Sequence, residues 1–250
     1  MGLVIAMAGK GGTGKTTIAG LIVRLIKEKK LGSILAVDAD PNSNLAEVLG
    51  LEVKESIGKI LDDISLNPES VPKGMPKATF IEYRVQTAIV EGEGFDLLTM
   101  GRPEGPGCYC YVNNSLRNVM SKLINDYDFV VIDNEAGLEH LSRRTTRSAD
   151  SLVVVSDATV SGLRSAKRIS GLVKELGIKT KKEFLIINRC DKVIEQEKIK
   201  EISFDYLCSL PNDSGIERLS LNGNSLLGLE EDNQILSILR KTGEKIWLCN

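Results

Sequence analysis

The sequence predicts an α/β fold: a mostly parallel, twisted sheet flanked by helices on both faces, with an antiparallel hairpin at one edge. Short apolar runs recur along the 250 residues, and the segments between them show the apolar spacing of amphipathic helices. Glycine-rich or acidic turns follow several of these runs, at the edge where such sheets bind ligands. With 42% hydrophobic residues and no internal repeat, residues 1–250 are expected to form a single domain.

The first predicted strand and helix enclose a glycine-rich turn. Leu3 to Ala8 is apolar, residues 9–17 read Gly-Lys-Gly-Gly-Thr-Gly-Lys-Thr-Thr, and the amphipathic segment Ile18 to Leu31 follows. Strand, glycine-rich turn and helix form the context of a P-loop. Glycines let backbone N–H groups approach phosphate oxygens, and the helix N-terminus favours their negative charge. A plain strand-to-helix turn is the alternative interpretation, but the combined glycine, lysine and hydroxyl spacing favours a P-loop NTPase.

The side chains of this turn have predicted roles in binding ATP or ADP with Mg²⁺. Lys15 is expected to neutralise the β and γ phosphates, Thr16 to bind Mg²⁺, and Thr17 to contact the α phosphate. The remaining predicted phosphate contacts come from backbone amides of Gly11, Gly12, Thr13 and Gly14.

A second strand, Ser33 to Val37, leads into an acidic turn. Asp38 is the candidate for the outer shell of Mg²⁺, and Asp40 for orienting the water that attacks ATP. Separate tasks for two carboxylates two residues apart require the chain to turn between them, as the following Pro41 suggests. An acidic turn that caps the helix starting near Asn44 is the alternative.

The edge of the sheet is predicted from residues 51–99. Glu55 to Ile64 has helical spacing, and prolines at 68, 72 and 76 interrupt the segment that follows. Arg84 to Val90 and Phe95 to Thr99 flank the sequence Glu-Gly-Glu-Gly. These two runs are therefore predicted to form the antiparallel edge hairpin.

A cysteine-containing turn follows, with the sequence Gly-Arg-Pro-Glu-Gly-Pro-Gly-Cys-Tyr-Cys at residues 101–110. Glycine and proline disfavour a helix, so Cys108 and Cys110 are expected in an irregular, accessible turn. Two thiolates rarely hold a metal alone, but a two-fold axis beside this segment would complete a Cys₄ site for Ni²⁺ or Zn²⁺. Two reduced thiols packing as small hydrophobic side chains are the alternative.

The next helix and strand end at another carboxylate. Val112 to Asn125 is predicted as an amphipathic helix, and the strand Phe129 to Ile132 leads to Asp133. A carboxylate after four apolar residues is the Walker B arrangement, which predicts Asp133 near Mg²⁺. Gly137 is expected to offer its amide to the γ phosphate. His140 either senses the nucleotide or is an ordinary packed or solvated side chain.

The last part of the chain contributes three further predicted strands: Ser151 to Val155, Glu183 to Ile187 and Tyr206 to Leu210. A crossover helix, Ser161 to Leu176, joins the first two. Asn188 follows the second of these strands, and its side-chain amide offers both a donor and an acceptor to the edge of adenine.

Charge and hydropathy exclude several classes of protein. Lysine and arginine (32) nearly balance aspartate and glutamate (34), which argues against non-specific nucleic-acid binding. No apolar run is long enough for a membrane span, and the N-terminus enters the first strand directly, so a cytoplasmic protein is expected. Its five cysteines are then expected to be thiols or metal ligands rather than disulfides.

Lys10 adds a second lysine to the P-loop. With it, the loop resembles the deviant Walker A motif of MinD/ParA-type ATPases and of the nitrogenase iron protein. The resemblance implies that Lys10 reaches the nucleotide of a facing subunit in an ATP-bound homodimer; a solvated lysine is the alternative. It also implies that Asn188, Arg189 and the loop beginning at Pro211 contact adenine.

Residues 101–110 together with 133–141, Asp-Asn-Glu-Ala-Gly-Leu-Glu-His-Leu, resemble the CooC-type accessory ATPases. That resemblance implies ATP-dependent nickel insertion into a client, carbon monoxide dehydrogenase or acetyl-CoA synthase. The alternative is an electron carrier similar to the nitrogenase iron protein, with an iron–sulfur cluster shared across the dimer. Such proteins carry a second cluster cysteine after the Walker B segment, and residues 133–147 contain none, so this alternative is disfavoured. A MinD-like membrane ATPase would use Asn233 to Asn250 as an interfacial helix; packing on the sheet is preferred because this segment carries little positive charge.

Overall fold

A computed structural model describes residues 2–40, 42–101, 110–135, 148–192 and 194–248, with the backbone alone for residues 110–117. The chain forms an eight-stranded sheet. In chain order the strands are β1 Leu3–Gly9, β2 Ile34–Ala39, β3 Val90–Gly92, β4 Phe95–Thr99, β5 Phe129–Asn134, β6 Ser148–Asp157, β7 Lys179–Asn188 and β8 Asp205–Ser209. Across the sheet the order is β3-β4-β2-β5-β1-β6-β7-β8. Neighbouring strands are parallel except β3 and β4, which form an antiparallel pair.

Helices cover both faces of this sheet. Within the described ranges they are α1 Lys15–Glu28, α2 Leu45–Leu49, α3 Ile57–Leu66, α4 Lys77–Thr87, α5 Cys110–Asn125, α6 Val160–Glu175, α7 Gln196–Ile199, α8 Ser214–Leu221, α9 Gln234–Thr242 and α10 Glu244–Trp247. One buried cluster joins the sheet to α1, α2, α9 and α10, and the other joins it to α3, α4, α5 and α6. The predicted fold class is therefore confirmed.

Register brings the carboxyl ends of three central strands together. Asp133 of β5 pairs with Met7 of β1 on one side and with Asp38 of β2 on the other. Side chains at paired positions in a sheet lie on the same face. The predicted acidic residues therefore meet beside the turn that leaves β1.

The hairpin is confirmed at the edge of the sheet, but the prediction of strand over Arg84 to Val90 is wrong for most of that run. Residues 84–87 belong to α4 instead. Ile81 and Val85, spaced one helical turn apart, are buried in the cluster that includes α3. Arg84 also donates to Glu55 at 2.6 Å. These contacts favour helix here, and the strand that pairs with β4 in antiparallel orientation is limited to β3.

The helix after the cysteine turn begins at Cys110, two residues before the predicted start at Val112. The expectation that Cys110 lies in an irregular turn is therefore wrong. The last glycine before the helix is Gly107. Residues 110–125 contain neither glycine nor proline, the two residue types that disfavour a helix most strongly. Cys108 lies outside the described residues.

The C-terminal helices pack on the sheet, on the face that α1 covers, as preferred above. Ile235, Leu236 and Trp247 are buried in the cluster on the α1 face. Arg24 of α1 reaches the same region and donates to the Leu229 carbonyl at 2.6 Å. Of the helices that the described residues form, none combines the length and the apolar character that a membrane crossing requires.

Candidate functional site

The turn between β1 and α1 has the geometry of a phosphate-binding loop. Gly12 and Gly14 adopt φ values of +79° and +93°, which L-residues with side chains rarely adopt. Gly14 is the N-cap of α1, so the helix begins at Lys15 and directs its first backbone N–H groups into the turn. The hydroxyl of Thr13 donates to the Lys10 carbonyl at 2.9 Å and closes the loop. The loop is therefore shaped for an anion before any ligand binds.

Lys15 lies inside this loop, only 6% exposed. Its Nζ donates to the Lys10 carbonyl at 3.3 Å. Burial lowers the pKa of Lys15, and the negative charges of Asp133, Asp40 and Glu135 oppose that decrease. A buried ammonium group whose hydrogen bond within the described chain is a long one to a carbonyl is suited to bind a ligand's negative charge. Its predicted contact with the β and γ phosphates is consistent with this position.

The two strand-end carboxylates form a buried acidic pair. Burial raises the pKa of Asp38 to about 7 and that of Asp133 to about 6. Asp38 accepts hydrogen bonds from the backbone N–H groups of Asp40 (3.1 Å) and Leu45 (2.9 Å). The Thr16 hydroxyl bonds the Asp133 carboxyl. The chain leaves β2 after Ala39, so Asp40 is separated from Asp38 by the expected turn.

These residues fit Mg²⁺. Oδ1 of Asp133 is buried and has no hydrogen-bond partner within the described part of the chain. An unpartnered buried carboxylate oxygen is costly unless a cation or another donor binds it. The Thr16 hydroxyl and the Asp38 carboxylate beside it are oxygen ligands of the kind that Mg²⁺ prefers, directly or through water.

A cavity of about 490 Å³ opens over the loop. The predicted phosphate and Mg²⁺ residues that line it are Gly11, Gly12, Gly14, Lys15, Thr16 and Thr17. Asp40 lines it as well, as required for a residue that orients attacking water. The structure therefore brings these six predicted residues and Asp40 to one space, whereas Thr13, Asp38 and Asp133 are not part of the cavity lining.

A second cavity, of about 350 Å³, adjoins the first at Thr17 and Arg189. Asn188 and Pro211 line it, together with the apolar side chains of Ile18, Leu21, Leu210 and Ile235. Nδ2 of Asn188 also donates to the Thr13 carbonyl at 2.8 Å. A slot that combines apolar walls with amide side chains suits a purine base, and the predicted adenine residues meet here.

Lys10 points away from the phosphate cavity of its own chain. Its Nζ donates to the hydroxyl of Ser161, at the start of α6, at 3.1 Å. The residue is exposed and is not part of the cavity lining, in contrast to Lys15. Its predicted role toward a facing subunit remains a prediction.

Several predicted residues fall outside the described chain: Pro41, Cys108, Gly137 and His140. The side chain of Cys110 is likewise not described. Among the side chains that are described, no group of three or more His, Cys, Asp and Glu residues is arranged to hold a metal ion. The predicted Ni²⁺ or Zn²⁺ site stays a prediction.

Sequence reasoning did not single out some residues of the site. Asn42, Asn44 and Glu47 line the phosphate cavity because α2 folds back across it. Glu135, directly after β5, also lines it and acts on Lys15. The sequence offered one signal for these residues: they are polar and follow shortly after a predicted strand, at the edge where such sheets bind ligands.

The strand–loop–helix turn, the buried lysine and the paired carboxylates define a P-loop nucleotide-binding site at the carboxyl edge of a parallel sheet. The class of protein that this fold and site define is a P-loop ATPase.

Comparison with known proteins places the chain more narrowly. The model of the AAA_31 family, described as an AAA domain, matches residues 2–186, and the chain belongs to that family. An uncharacterised ATP-binding protein of Methanocaldococcus jannaschii is 42% identical over 249 residues, covering 98% of each chain. The carbon monoxide dehydrogenase accessory protein CooC of Rhodospirillum rubrum is 32% identical over 245 residues, covering 90% of this chain and 89% of CooC.

A solved structure supports the fold. The septum site-determining protein MinD of Pyrococcus horikoshii, complexed with Mg-ADP, superposes with a TM-score of 0.74 over 99% of this chain and 96% of MinD. The identity is 21%, so this similarity concerns the fold alone. With the family and the site geometry, the protein is an ATPase of the MinD/ParA group.

Proposed function

We propose that this ATPase is an accessory factor that inserts nickel into carbon monoxide dehydrogenase or acetyl-CoA synthase in an ATP-dependent cycle. The observation that carries the proposal is the similarity, along nearly the whole chain, to the carbon monoxide dehydrogenase accessory protein CooC. Cys108 and Cys110 add a pair of thiolates, which bind Ni²⁺ and Zn²⁺ well. The nickel is cargo in this proposal, held between the protein and its client.

In the proposed hydrolysis step, the loop amides and Lys15 hold the β and γ phosphates, and Thr17 holds the α phosphate. Asp40 orients a water molecule toward the γ phosphorus. Mg²⁺, bound by Thr16 with Asp133 and Asp38 nearby, would neutralise charge on the phosphate oxygens. Lys15 neutralises part of the same charge from a largely buried position, where electrostatic interactions are stronger than in water.

The proposed active form is a homodimer. Lys10 supports it, since its side chain lies outside the phosphate cavity of its own chain and, among the described residues, is held by an exposed hydrogen bond to Ser161. An exposed hydrogen bond of this kind contributes little, about 1 kcal/mol or less. A facing subunit's nucleotide would therefore compete easily for the Lys10 ammonium group.

A direct structural path connects the cysteine segment with the ATP site. The helix that begins at Cys110 ends at Asn125, and after three intervening residues the chain enters β5, which carries Asp133. We propose that nucleotide state alters the geometry of a Cys₄ site through this helix and strand. The metal ligands would be Cys108 and Cys110 from both subunits.

We place this homodimer in the cytoplasm, without nucleic acid or stable membrane association. The near-neutral net charge of −2 supports the first point. Burial of the apolar C-terminal residues, including Trp247 at 3% exposed, supports the second, since an interfacial helix would present them to lipid.

Metal stoichiometry tests the cysteine site. Anaerobically purified protein with Ni²⁺ or Zn²⁺ is expected to bind one metal per dimer, and the Cys108→Ser/Cys110→Ser double variant none. Cys190→Ser serves as the matched control, because Cys190 is a partly exposed thiol far along the chain. A full metal complement in the double variant would place the site elsewhere, and an iron–sulfur absorption band would favour the electron-carrier alternative.

Client activation tests the function itself. Nickel-free carbon monoxide dehydrogenase and acetyl-CoA synthase are each incubated with Ni²⁺, ATP and the protein. One of them is expected to gain activity faster than with Ni²⁺ alone, and the Asp40→Ala variant is expected not to support this gain. If neither client responds while ATP is hydrolysed normally, the nickel role is wrong and the ATPase assignment stands.

A further inference from the structure

Asp191 holds one residue of the base cavity by two hydrogen bonds. Its Oδ1 accepts from the backbone N–H of Asn212 at 2.9 Å, and its Oδ2 accepts from Nδ2 of the same residue at 2.7 Å. Asn212 lines the cavity of about 350 Å³ beside the P-loop, whereas Asp191 does not. Asp191 therefore acts on the cavity only through Asn212.

The backbone of this loop is also anchored by contacts that do not involve Asp191. The N–H of Leu210 donates to the Ile187 carbonyl at 2.8 Å, and the N–H of Cys190 donates to the Leu210 carbonyl at 2.9 Å. After the loop, Asp213 caps α8 by accepting from the N–H of Ile216 at 2.8 Å. Loss of Asp191 would therefore remove one of several hydrogen bonds that hold the loop backbone, together with the bond that orients the Asn212 side chain.

The chemistry of the contact fixes that orientation. An ionised carboxylate can only accept hydrogen bonds, so an amide side chain that meets it must present its NH₂ group. The two bonds from Asn212 also lower the pKa of Asp191, which keeps the carboxylate ionised at neutral pH. The amide oxygen of Asn212 is consequently turned away from Asp191.

Asn188 is fixed in a similar way. It lines the same cavity, and its Nδ2 donates to the Thr13 carbonyl at 2.8 Å. Each amide side chain of this cavity therefore has one N–H of its NH₂ group engaged with the protein, and within the described part of the chain its oxygen is available to a ligand. At the edge of the cavity the two amides therefore offer acceptors to a ligand, and Arg189, which also lines the cavity, directs its Nη1 to the Gly12 carbonyl at 3.3 Å.

Such an edge distinguishes the two purine nucleotides. Adenine carries an amino group, a donor, at the position where guanine carries an oxygen, an acceptor. An amide oxygen bonds the amino group of adenine and repels the guanine oxygen. We propose that Asp191 is a positioning residue that selects ATP over GTP by fixing the amide of Asn212. This inference rests on the proposed placement of the base in this cavity.

Equilibrium binding measures the selection. Dissociation constants of Mg-ATP and Mg-GTP are obtained by competition with a fluorescent ADP analogue. In Asp191→Ala the preference for ATP is expected to fall about 10-fold, mainly through tighter GTP binding, because the freed amide can rotate and offer its NH₂ group. Asp205→Ala, which removes an exposed carboxylate of β8, is the matched control and is expected to keep the wild-type preference.

A double-variant cycle separates selection from loop stability. Asn212→Ala removes the amide and is expected to lower the preference for ATP. Adding Asp191→Ala to it is expected to change the preference between ATP and GTP no further, since Asp191 acts on the base through the Asn212 side chain; the lost backbone bond would affect ATP and GTP alike. A general loosening of the loop would instead weaken ATP and GTP equally and lower the melting temperature.

Two results would overturn the proposal in different ways. If Asn212→Ala changes neither dissociation constant, the base lies elsewhere, and the proposed placement fails together with the selection. If Asn212→Ala lowers the preference for ATP but Asp191→Ala leaves it at the wild-type value, only the role of Asp191 is wrong. Neither result bears on nickel delivery, which the client assay tests.

Discussion

Gly14 joins the P-loop to the base cavity, and its replacement by alanine tests that junction. A Cβ atom at Gly14 would lie 2.3 Å from Nδ2 of Asn188, far inside contact distance. Gly12 provides the matched control, because its φ is similarly positive (+79° against +93°) and a Cβ there would meet nothing within 4 Å. Both substitutions strain the backbone, but only Gly14→Ala displaces Asn188.

The structure gives the expected magnitudes. Placing alanine at positive φ costs about 1–2 kcal/mol, and the reduced entropy of the unfolded chain returns about 0.4–1 kcal/mol. Gly12→Ala should therefore lower the free energy of unfolding by about 1 kcal/mol. Gly14→Ala should cost a further 1–3 kcal/mol or so, because the bond from Asn188 to the buried Thr13 carbonyl is lost.

Urea unfolding of the nucleotide-free protein measures both costs. Trp247 is the only tryptophan of the chain and is buried on the α1 face, so its fluorescence reports global unfolding. In an Asn188→Ala background the clash is removed, and Gly14→Ala should then cost no more than Gly12→Ala. Equal costs for the two glycine variants in the wild-type background would refute the argument, as would an unchanged cost of Gly14→Ala beside Asn188→Ala.

Three further predictions concern turnover, assembly and pH. Asp40→Ala should bind ATP within about 3-fold of wild type but hydrolyse it about 100-fold more slowly, as single-turnover assays would reveal; an unchanged rate would reassign the water-orienting role. Lys10→Ala should abolish the ATP-induced dimers that light scattering detects, whereas Ser161→Ala should retain them. Equal dimer populations for Lys10→Ala and the wild type would show that Lys10 has no role across the subunit interface. Because the pKa values of Asp38 and Asp133 are raised to about 7 and 6, the folded state binds more protons than the unfolded state between about pH 4 and those values. The contribution of these two carboxyl groups to the stability of the nucleotide-free protein should therefore fall as pH rises through that window. The affinity for Mg²⁺ should rise over the same range, by up to about 10-fold per pH unit, because the carboxylates bind the cation only when deprotonated. Mg²⁺ titrations from pH 5.5 to 8 would check this, and a flat profile would contradict it.

Local chemistry explains how much of the site was predictable from sequence. The P-loop residues 9–17 are contiguous, and each glycine, lysine or hydroxyl acts at a position set by the chain itself. Asp38 and Asp133 each follow an apolar strand, and parallel strands necessarily bring such ends to one edge of the sheet. Their proximity needed no knowledge of side-chain packing.

Tertiary contacts decided the rest. Arg84 to Thr87 has residues that suit a strand, but burial of Val85 and the bond from Arg84 to Glu55 hold it in a helix. Propensity over so few residues is weak, and packing outweighs it.

By itself, then, the sequence determined the parallel α/β fold, the nucleotide loop and the strand-end carboxylates, because each rests on periodicity or on residues adjacent in the chain. The tertiary structure alone decided that Lys10 contacts Ser161, 151 residues away, and that Asp191 holds Asn212 at the base cavity. These contacts depend on where β7, β8 and α6 lie relative to the P-loop. Distances between side chains so far apart in sequence are set by the packing of the whole sheet, and they cannot be inferred from the pattern of neighbouring residues in the sequence.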